Sequence, residues 1–296
     1  RRRRNRYICG DGLIPHQPNV RTMELKQAER PVRYPALMIG VLMCSTFTGL
    51  FGETALNMAL TTLMHEFSVT AGAVQWLVTG YLLTLAVFMP VSAILVKWFN
   101  TRPLIVAAVL LSLLGCLVSG CAGNLAALML GRFIQAVGTA IILPMLMSIA
   151  LLIFPLHQRG KVMGIVGVAI TLAPALGPTL SGFIITEFSW RAIFFISTML
   201  YIITLFVALY ATENTGDITC PRIDVASLIL SAAGFSGIIF GMGALAEMPV
   251  YSVQVWGALS VGFLSLSAFV WRQTMIPHPV INLEIFSCPA FVGGGD

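Results

Sequence analysis

The chain has 296 residues, of which 57% are hydrophobic and only 10% are charged, and its mean hydropathy is +0.90. A soluble domain carries about 25% charged residues, so this composition excludes a soluble protein and predicts an all-α polytopic membrane protein. The net charge of +5 does not indicate nucleic-acid binding, because residues 1–22 account for it with six arginines against one aspartate.

The amino-terminal tail, residues 1–35, is polar and basic. Residues 1–22 have no apolar core and no small-residue cleavage site, so they are not a signal peptide. Met23 reads as a natural beginning, because a short polar tail follows it and leads directly into an apolar stretch. Two interpretations of residues 1–22 stay open: upstream sequence that is not native to the protein, or a polybasic tail that binds lipid.

Eight stretches with almost no charge are long enough to cross a hydrocarbon core of roughly 30 Å as helices. They are residues 36–63, 73–96, 104–122, 125–154, 162–186, 192–211, 225–246 and 252–271. With a cytoplasmic amino terminus, nine basic residues fall in the inner loops and one in the outer loops. This asymmetry predicts a multi-pass protein of the plasma (inner) membrane whose amino terminus is cytoplasmic.

The fifth stretch differs from a generic spanning helix because small residues and prolines recur every three or four positions. Its main members are Gly164, Gly167, Pro174, Gly177, Pro178 and Gly182. Small side chains let a neighbouring helix approach to backbone contact, and each proline predicts a bend. The pattern fits a close-packed, kinked helix of any membrane bundle at least as well as a bendable seam between two moving parts.

Two charged residues lie inside the predicted spans, Glu53 in the first and Arg132 in the fourth. Ionisable groups are costly in a membrane and mark a functional site by default. The helical rise puts both residues in the outer half of the membrane, so we expect them to interact directly or through one water. Two interpretations of the pair are equally favoured: an ion pair that only holds the two helices together, and a pair with a functional role. Asn57 and Gln135, each about one turn further on, are candidates for the same polar network and for lining a substrate cavity.

The remaining candidates are aromatic. Trp76 and Phe133 are proposed to line a substrate cavity, although ordinary packing or anchoring at the membrane interface is the more frequent role of such residues. The cysteines and histidines show no metal-ligand spacing, and no nucleotide-binding loop is present in the sequence. We therefore expect no metal, no cofactor and no enzymatic activity, and take a proton gradient as the default energy source.

Five segments resemble, in chain order, the sequence motifs of the major facilitator superfamily. They are ETALNMAL at residues 53–60, QWLVTGY at 75–81, LGRFIQAVG at 130–138, APALGPTLSG at 173–182 and SWRAIFF at 189–195. The fourth of these is similar to the antiporter motif of the fifth helix, and it falls on the fifth predicted span. The first is similar to the first-helix signature of the fourteen-helix drug:proton antiporters, with Glu53 where Asp is commoner.

The resemblance covers Met23 to about Phe291 and implies an architecture. Residues 36–211 would form the six-helix amino-terminal bundle of the superfamily, and residues 212–271 would hold two linker helices. Residues 272–296 would lead toward a ninth helix, so the carboxy-terminal bundle would be missing and the chain would be a fragment or a truncated product. Lys97 stands near the position of an acid in the family's loop after helix 2, so a gating role is not carried over to that loop.

The resemblance also implies a function, namely proton-coupled export of drugs or other amphipathic small molecules, or multidrug efflux that confers antibiotic resistance. Glu53 and Arg132 would form the proton-coupling pair. The partners would be a drug-like substrate, protons and the lipid bilayer, with no nucleic acid; the sequence identifies no accessory efflux protein. The alternative is a membrane scaffold, a sensor or an inactive fragment that transports nothing.

Overall fold

The computed structural model describes residues 33–215, 224–247 and 252–275, and within those ranges it contains eight α-helices and no strand. In chain order they are α1 (Pro35–Phe67), α2 (Ala71–Trp98), α3 (Thr101–Gly120), α4 (Leu125–Ile153), α5 (Leu156–Glu187), α6 (Trp190–Ala211), α7 (Val225–Glu247) and α8 (Val253–Met275). Each is long and apolar enough to cross a membrane. The prediction of an all-α polytopic membrane protein with eight spans is confirmed.

Helix ends differ from the predicted spans where polar residues continue the helix beyond the apolar stretch. The largest difference is at α5, which begins at Leu156 rather than at residue 162. Arg159 lies in its first turns and donates from its backbone N–H to the Pro155 carbonyl, 3.2 Å away. Elsewhere the sequence supplies ordinary caps: the Asn124 side chain accepts a 2.8 Å hydrogen bond from the Ala127 N–H at the start of α4.

The first six helices pack as a bundle in which α1 contacts α2, α4, α5 and α6, and α3 packs most extensively against α4. Between α3 and α4 the two backbones touch. A Cβ atom placed on Gly115 would lie 2.6 Å from the Gly131 carbonyl oxygen, and one placed on Gly138 would lie 2.6 Å from the Ala108 carbonyl oxygen. Only glycine allows this approach, and it leaves no space for an added methyl group.

Contacts at the two ends of the bundle show that neighbouring helices run in opposite directions. At one end, Arg102 near the start of α3 donates from Nη2 to the Leu209 carbonyl near the end of α6, at 2.9 Å. At the other end, Glu66 near the end of α1 accepts hydrogen bonds from Trp190 Nε1 at 2.5 Å and Arg191 Nη1 at 2.7 Å, at the start of α6.

Helices α7 and α8 pack against each other as a hairpin. A Cβ atom on Gly237 would lie 2.7 Å from Gly262 Cα, so their backbones also touch. At the open end of the hairpin, Arg272 donates from Nε and Nη2 to the Asp224 carboxylate at 2.7 and 3.0 Å. These bonds, with a further one from Ser227, hold the pKa of Asp224 well below its usual range. Helix α7 packs against α2, which attaches the hairpin to the bundle.

Candidate functional site: a buried arginine network between α1, α2 and α4

Arg132 on α4 is buried, with 1% of the residue exposed. Its Nη1 donates to Gln135 Oε1 at 2.9 Å, and the centre of its guanidinium lies 4.0 Å from the centre of the Tyr81 ring on α2. Nε and Nη2 have no hydrogen-bond partner among the described residues. A buried cation with two unsatisfied donors is energetically costly, so this position favours a further acceptor group.

Two glycines of α1 bring its backbone against the arginine network. A Cβ atom on Gly52 would lie 3.5 Å from Gln135 Nε2 and 3.9 Å from Arg132 Nη1. A Cβ atom on Gly49 would lie 2.8 Å from Thr139 Oγ1. Sequence reasoning missed both glycines, and the available signal was their three-residue spacing just before the charged residue of the first span.

Tyr81 and Thr139 complete the network and were not site candidates either. The Tyr81 hydroxyl lies 3.2 Å from Thr139 Oγ1 and 3.5 Å from the Gly49 carbonyl oxygen. Thr139 Oγ1 in turn donates to the Gln135 carbonyl at 3.1 Å. Both side chains are fully buried, so polar groups of α1, α2 and α4 meet in one place inside the bundle.

Glu53 follows Gly52 directly and is half-buried. It forms no ion pair with Arg132 within 4.0 Å; in the described part of the chain the ion pairs join Arg191 to Glu66 and Arg272 to Asp224. Glu53 and Arg132 are nevertheless close enough to interact electrostatically. The expected direct ion pair is therefore absent from this structure, and contact through one water stays a prediction.

The other predicted residues divide between the network and the surface of the bundle. Gln135 is in the network, whereas Asn57 is exposed on α1. Trp76, 37% exposed, places its ring 5.7 Å from the Phe240 ring of α7. Phe133, also 37% exposed, packs on Gly80 of α2, where a Cβ atom would lie 2.8 Å from Phe133 Cε1. The substrate role of both aromatics stays a prediction.

Among the motif glycines of α5, Gly177 makes a close approach to the same part of α1. A Cβ atom on Gly177 would lie 2.8 Å from Thr54 Cβ, and Thr54 follows Glu53 in the chain. By contrast, Gly164, Gly167 and Gly182 have no atom within 4 Å of such a position. The helix is continuous from Leu156 to Glu187, through Pro174 and Pro178. The expected close approach is thus found at Gly177 and not at the three glycines that face open space.

The sequence matches the family model described as Major Facilitator Superfamily over residues 42–292. It is 43% identical over 260 residues to the "Lincomycin resistance protein LmrB" of Listeria monocytogenes serovar 1/2a, covering 88% of this chain and 55% of that protein. It is 40% identical over 270 residues to the protein of the same name in Bacillus subtilis strain 168, covering 90% and 56%. The "Multidrug resistance protein B homolog" of Mycobacterium tuberculosis H37Rv is 28% identical over 287 residues, covering 94% and 52%.

Solved structures share the fold at low sequence identity. A crystal structure of the peptide transporter POT in complex with sulfate superposes with a TM-score of 0.63 at 16% identity, covering 86% of this chain and 56% of that one. The human organic anion transporter MFSD10 (TETRAN) gives 0.52 at 12% identity, covering 80% and 71%. The chain spans about half the length of the curated relatives that it matches.

Proposed function

Because the chain belongs to the major facilitator superfamily of membrane transporters, we propose that it acts in proton-coupled export of drug-like small molecules. In this proposal Glu53 carries the proton and Arg132 is its electrostatic partner. The observation that carries the proposal is the buried Arg132 guanidinium, which has two unsatisfied N–H groups and lies against α1 beside Gly52, the residue before Glu53.

The arrangement suits a carboxyl group that alternates between two protonation states. Burial raises the pKa of a carboxyl group, and a nearby cation lowers it. A small movement of α1 relative to α4 would therefore change which effect is larger and would load or release a proton. In this structure no ion pair locks Glu53 to Arg132, and the glycines of α1 leave its backbone close to the arginine.

The proposed substrates are amphipathic small molecules. The relatives named for lincomycin and multidrug resistance support this class. Transporters of this kind bind substrate near the membrane midplane between two bundles that move against each other. The Gly177–Thr54 contact supports such a movement, because it joins the small-residue motif of α5 to the residue after Glu53. The cytoplasmic amino terminus stays a prediction from the loop charges.

The first test is transport by a full-length protein that joins this chain to the remaining length of the Listeria monocytogenes relative. Purified and reconstituted in liposomes, it should export lincomycin in a manner that a protonophore abolishes. Glu53→Gln should abolish this export, because Gln mimics the protonated acid and cannot release a proton. Glu53→Asp should retain it, because the carboxyl group is kept.

The matched control is Glu66→Gln. Glu66 lies on the same helix, but its carboxylate is held by Trp190 and Arg191 at the end of the bundle where α1 ends and α6 begins. This variant should keep its dependence on the proton gradient. The absence of lincomycin export, or uncoupler-sensitive export at the parental rate by Glu53→Gln, would contradict the proposal. The first of these results would favour the alternative of a membrane scaffold or sensor.

A further inference from the structure

The ring of Tyr81 lies against the buried Arg132 guanidinium. The distance of 4.0 Å between the guanidinium carbon and the ring centre is within the range of a cation–π interaction. Tyr81 has no exposed surface, so this interaction takes place away from water, where it is strongest. The cation thus has one acceptor, Gln135 Oε1, one aromatic face, and one edge with no partner.

Tyr81 is itself held by two helices. Its hydroxyl lies within hydrogen-bond distance of Thr139 on α4 and of the Gly49 carbonyl on α1. The ring position therefore depends on how α1 and α4 sit relative to each other. Any movement between these two helices would be transmitted to the side chain that lies over the guanidinium.

The titratable groups that interact with Arg132 come from four other helices: Glu53 on α1, Tyr81 on α2, Cys116 on α3 and Tyr201 on α6. A phenol and a thiol titrate ordinarily near 10 and about 8.5, so Glu53 is the member of this set that is ordinarily ionised at neutral pH. If the pH dependence of transport changes when Arg132 moves, the group responsible is therefore Glu53.

We propose that Tyr81 is the positioning residue of the coupling site: it fixes the Arg132 guanidinium so that the Nε–Nη2 edge stays available to an acceptor. The proposal rests on the proposed function, since the acceptor that matters for transport is the Glu53 carboxylate. Tyr81 acts through Arg132 and is not itself a proton carrier.

The test uses the same full-length fusion and compares the pH profile of lincomycin export. Tyr81→Phe keeps the ring, so it should keep the midpoint of the profile. Tyr81→Leu removes the ring, and the rate at neutral pH should fall by about ten-fold or more. The midpoint should also move to higher pH by about one unit, because losing a well-placed cation raises the pKa of a carboxyl group.

Tyr201→Leu is the matched control. Tyr201 is equally buried, and its hydroxyl also donates to an α1 carbonyl, that of Ser45 at 3.2 Å, but its ring makes no contact of this kind with Arg132. Although Tyr201 is among the groups that interact electrostatically with Arg132, it is a neutral phenol outside the cation–π contact, so Tyr201→Leu should lower thermal stability about as much as Tyr81→Leu and leave the pH midpoint in place. If the pH midpoint of Tyr81→Leu does not differ from that of Tyr201→Leu, Tyr81 contributes only packing, and the inference is overturned.

A second measurement does not depend on transport. In ¹⁵N-arginine-labelled chain in lipid nanodiscs, the Nε–H signal of Arg132 is identified by its loss in Arg132→Lys. Its ring-current shift should disappear in Tyr81→Leu and persist in Tyr81→Phe. An unchanged signal in Tyr81→Leu would overturn the inference even if Glu53→Gln abolishes coupling. Conversely, coupled export by Glu53→Gln would defeat the proposed function while leaving the arginine geometry intact.

Discussion

Glycines occur both at the α3–α4 contact and on the exposed side of α5, but their surroundings are opposite. Gly115 and Gly138 lie where two backbones touch, and a methyl group there would collide with carbonyl oxygens of the facing helix. Gly164, Gly167 and Gly182 lie on α5 and face open space in the described part of the chain. Small residues at helical spacing therefore permit a close contact, but only the partner helix determines whether one forms.

Gly177 lies between these two extremes. Its nearest neighbours are side-chain atoms of Thr54, of which rotation can move Oγ1 but not Cβ, whereas the neighbours of Gly115 are backbone atoms, which cannot move without displacing a helix. The three groups of glycines predict a graded response to substitution. That gradient can be measured.

The largest effect is expected from Gly115→Ala. The added Cβ would lie 2.6 Å from the Gly131 carbonyl oxygen and 2.7 Å from Gln135 Cα, so α3 and α4 must separate. We expect the free energy of unfolding to fall by about 3 kcal/mol or more. Thermal unfolding of the purified chain in detergent measures this change. A melting temperature within experimental error of the parent would show that α3 and α4 can separate without loss of stability.

An intermediate effect is expected from Gly177→Leu. The bulky side chain would push α1 away at Thr54, beside Glu53, so the loss should be about 1–3 kcal/mol in stability. Export by the full-length fusion should fall sharply while membrane insertion persists. Gly182→Leu, in the same motif but facing open space, is the control and should transport normally. Parental transport by Gly177→Leu would refute a seam at this residue.

The smallest effect, with the opposite sign, is expected from Gly164→Ala. Nothing lies within 4 Å of the added methyl group, and alanine is the better helix former. The chain should gain about 0.5–1 kcal/mol at most, seen as a slightly higher melting temperature. If the same change in the full-length fusion abolishes export without destabilising the protein, Gly164 approaches a partner that this chain does not contain.

The α7–α8 hairpin adds a third pattern, in which a glycine contact is combined with polar bonds. The Gly237–Gly262 contact lies along the hairpin, and the Asp224–Arg272 ion pair closes its open end. The hydropathy of these helices predicted two spans and nothing about their partner. Helix α7 of the hairpin packs against α2, where the Phe240 ring lies against the Trp76 ring.

Local chemistry by itself determined a large part of this protein. Hydrophobicity and charge are properties of single residues, so the eight spans and the two charged residues inside them could be predicted by counting. The motif resemblance to the major facilitator superfamily, which the family match confirms, likewise depends on residues that are adjacent in the chain. Helix ends such as Leu156 were less predictable, since backbone hydrogen bonds continue where hydrophobicity stops.

Only the tertiary structure decided which of these residues meet. The Arg132 guanidinium lies over the ring of Tyr81, a residue of another helix, and α1 approaches the same place through Gly49 and Gly52, so polar groups of three helices share one small volume. No sequence spacing relates Tyr81 to Arg132, as they are on different helices. The same reason applies to Gly177 and Thr54: whether a small residue is a contact or an open surface depends on the rotation and distance of the facing helix, which no single helix encodes.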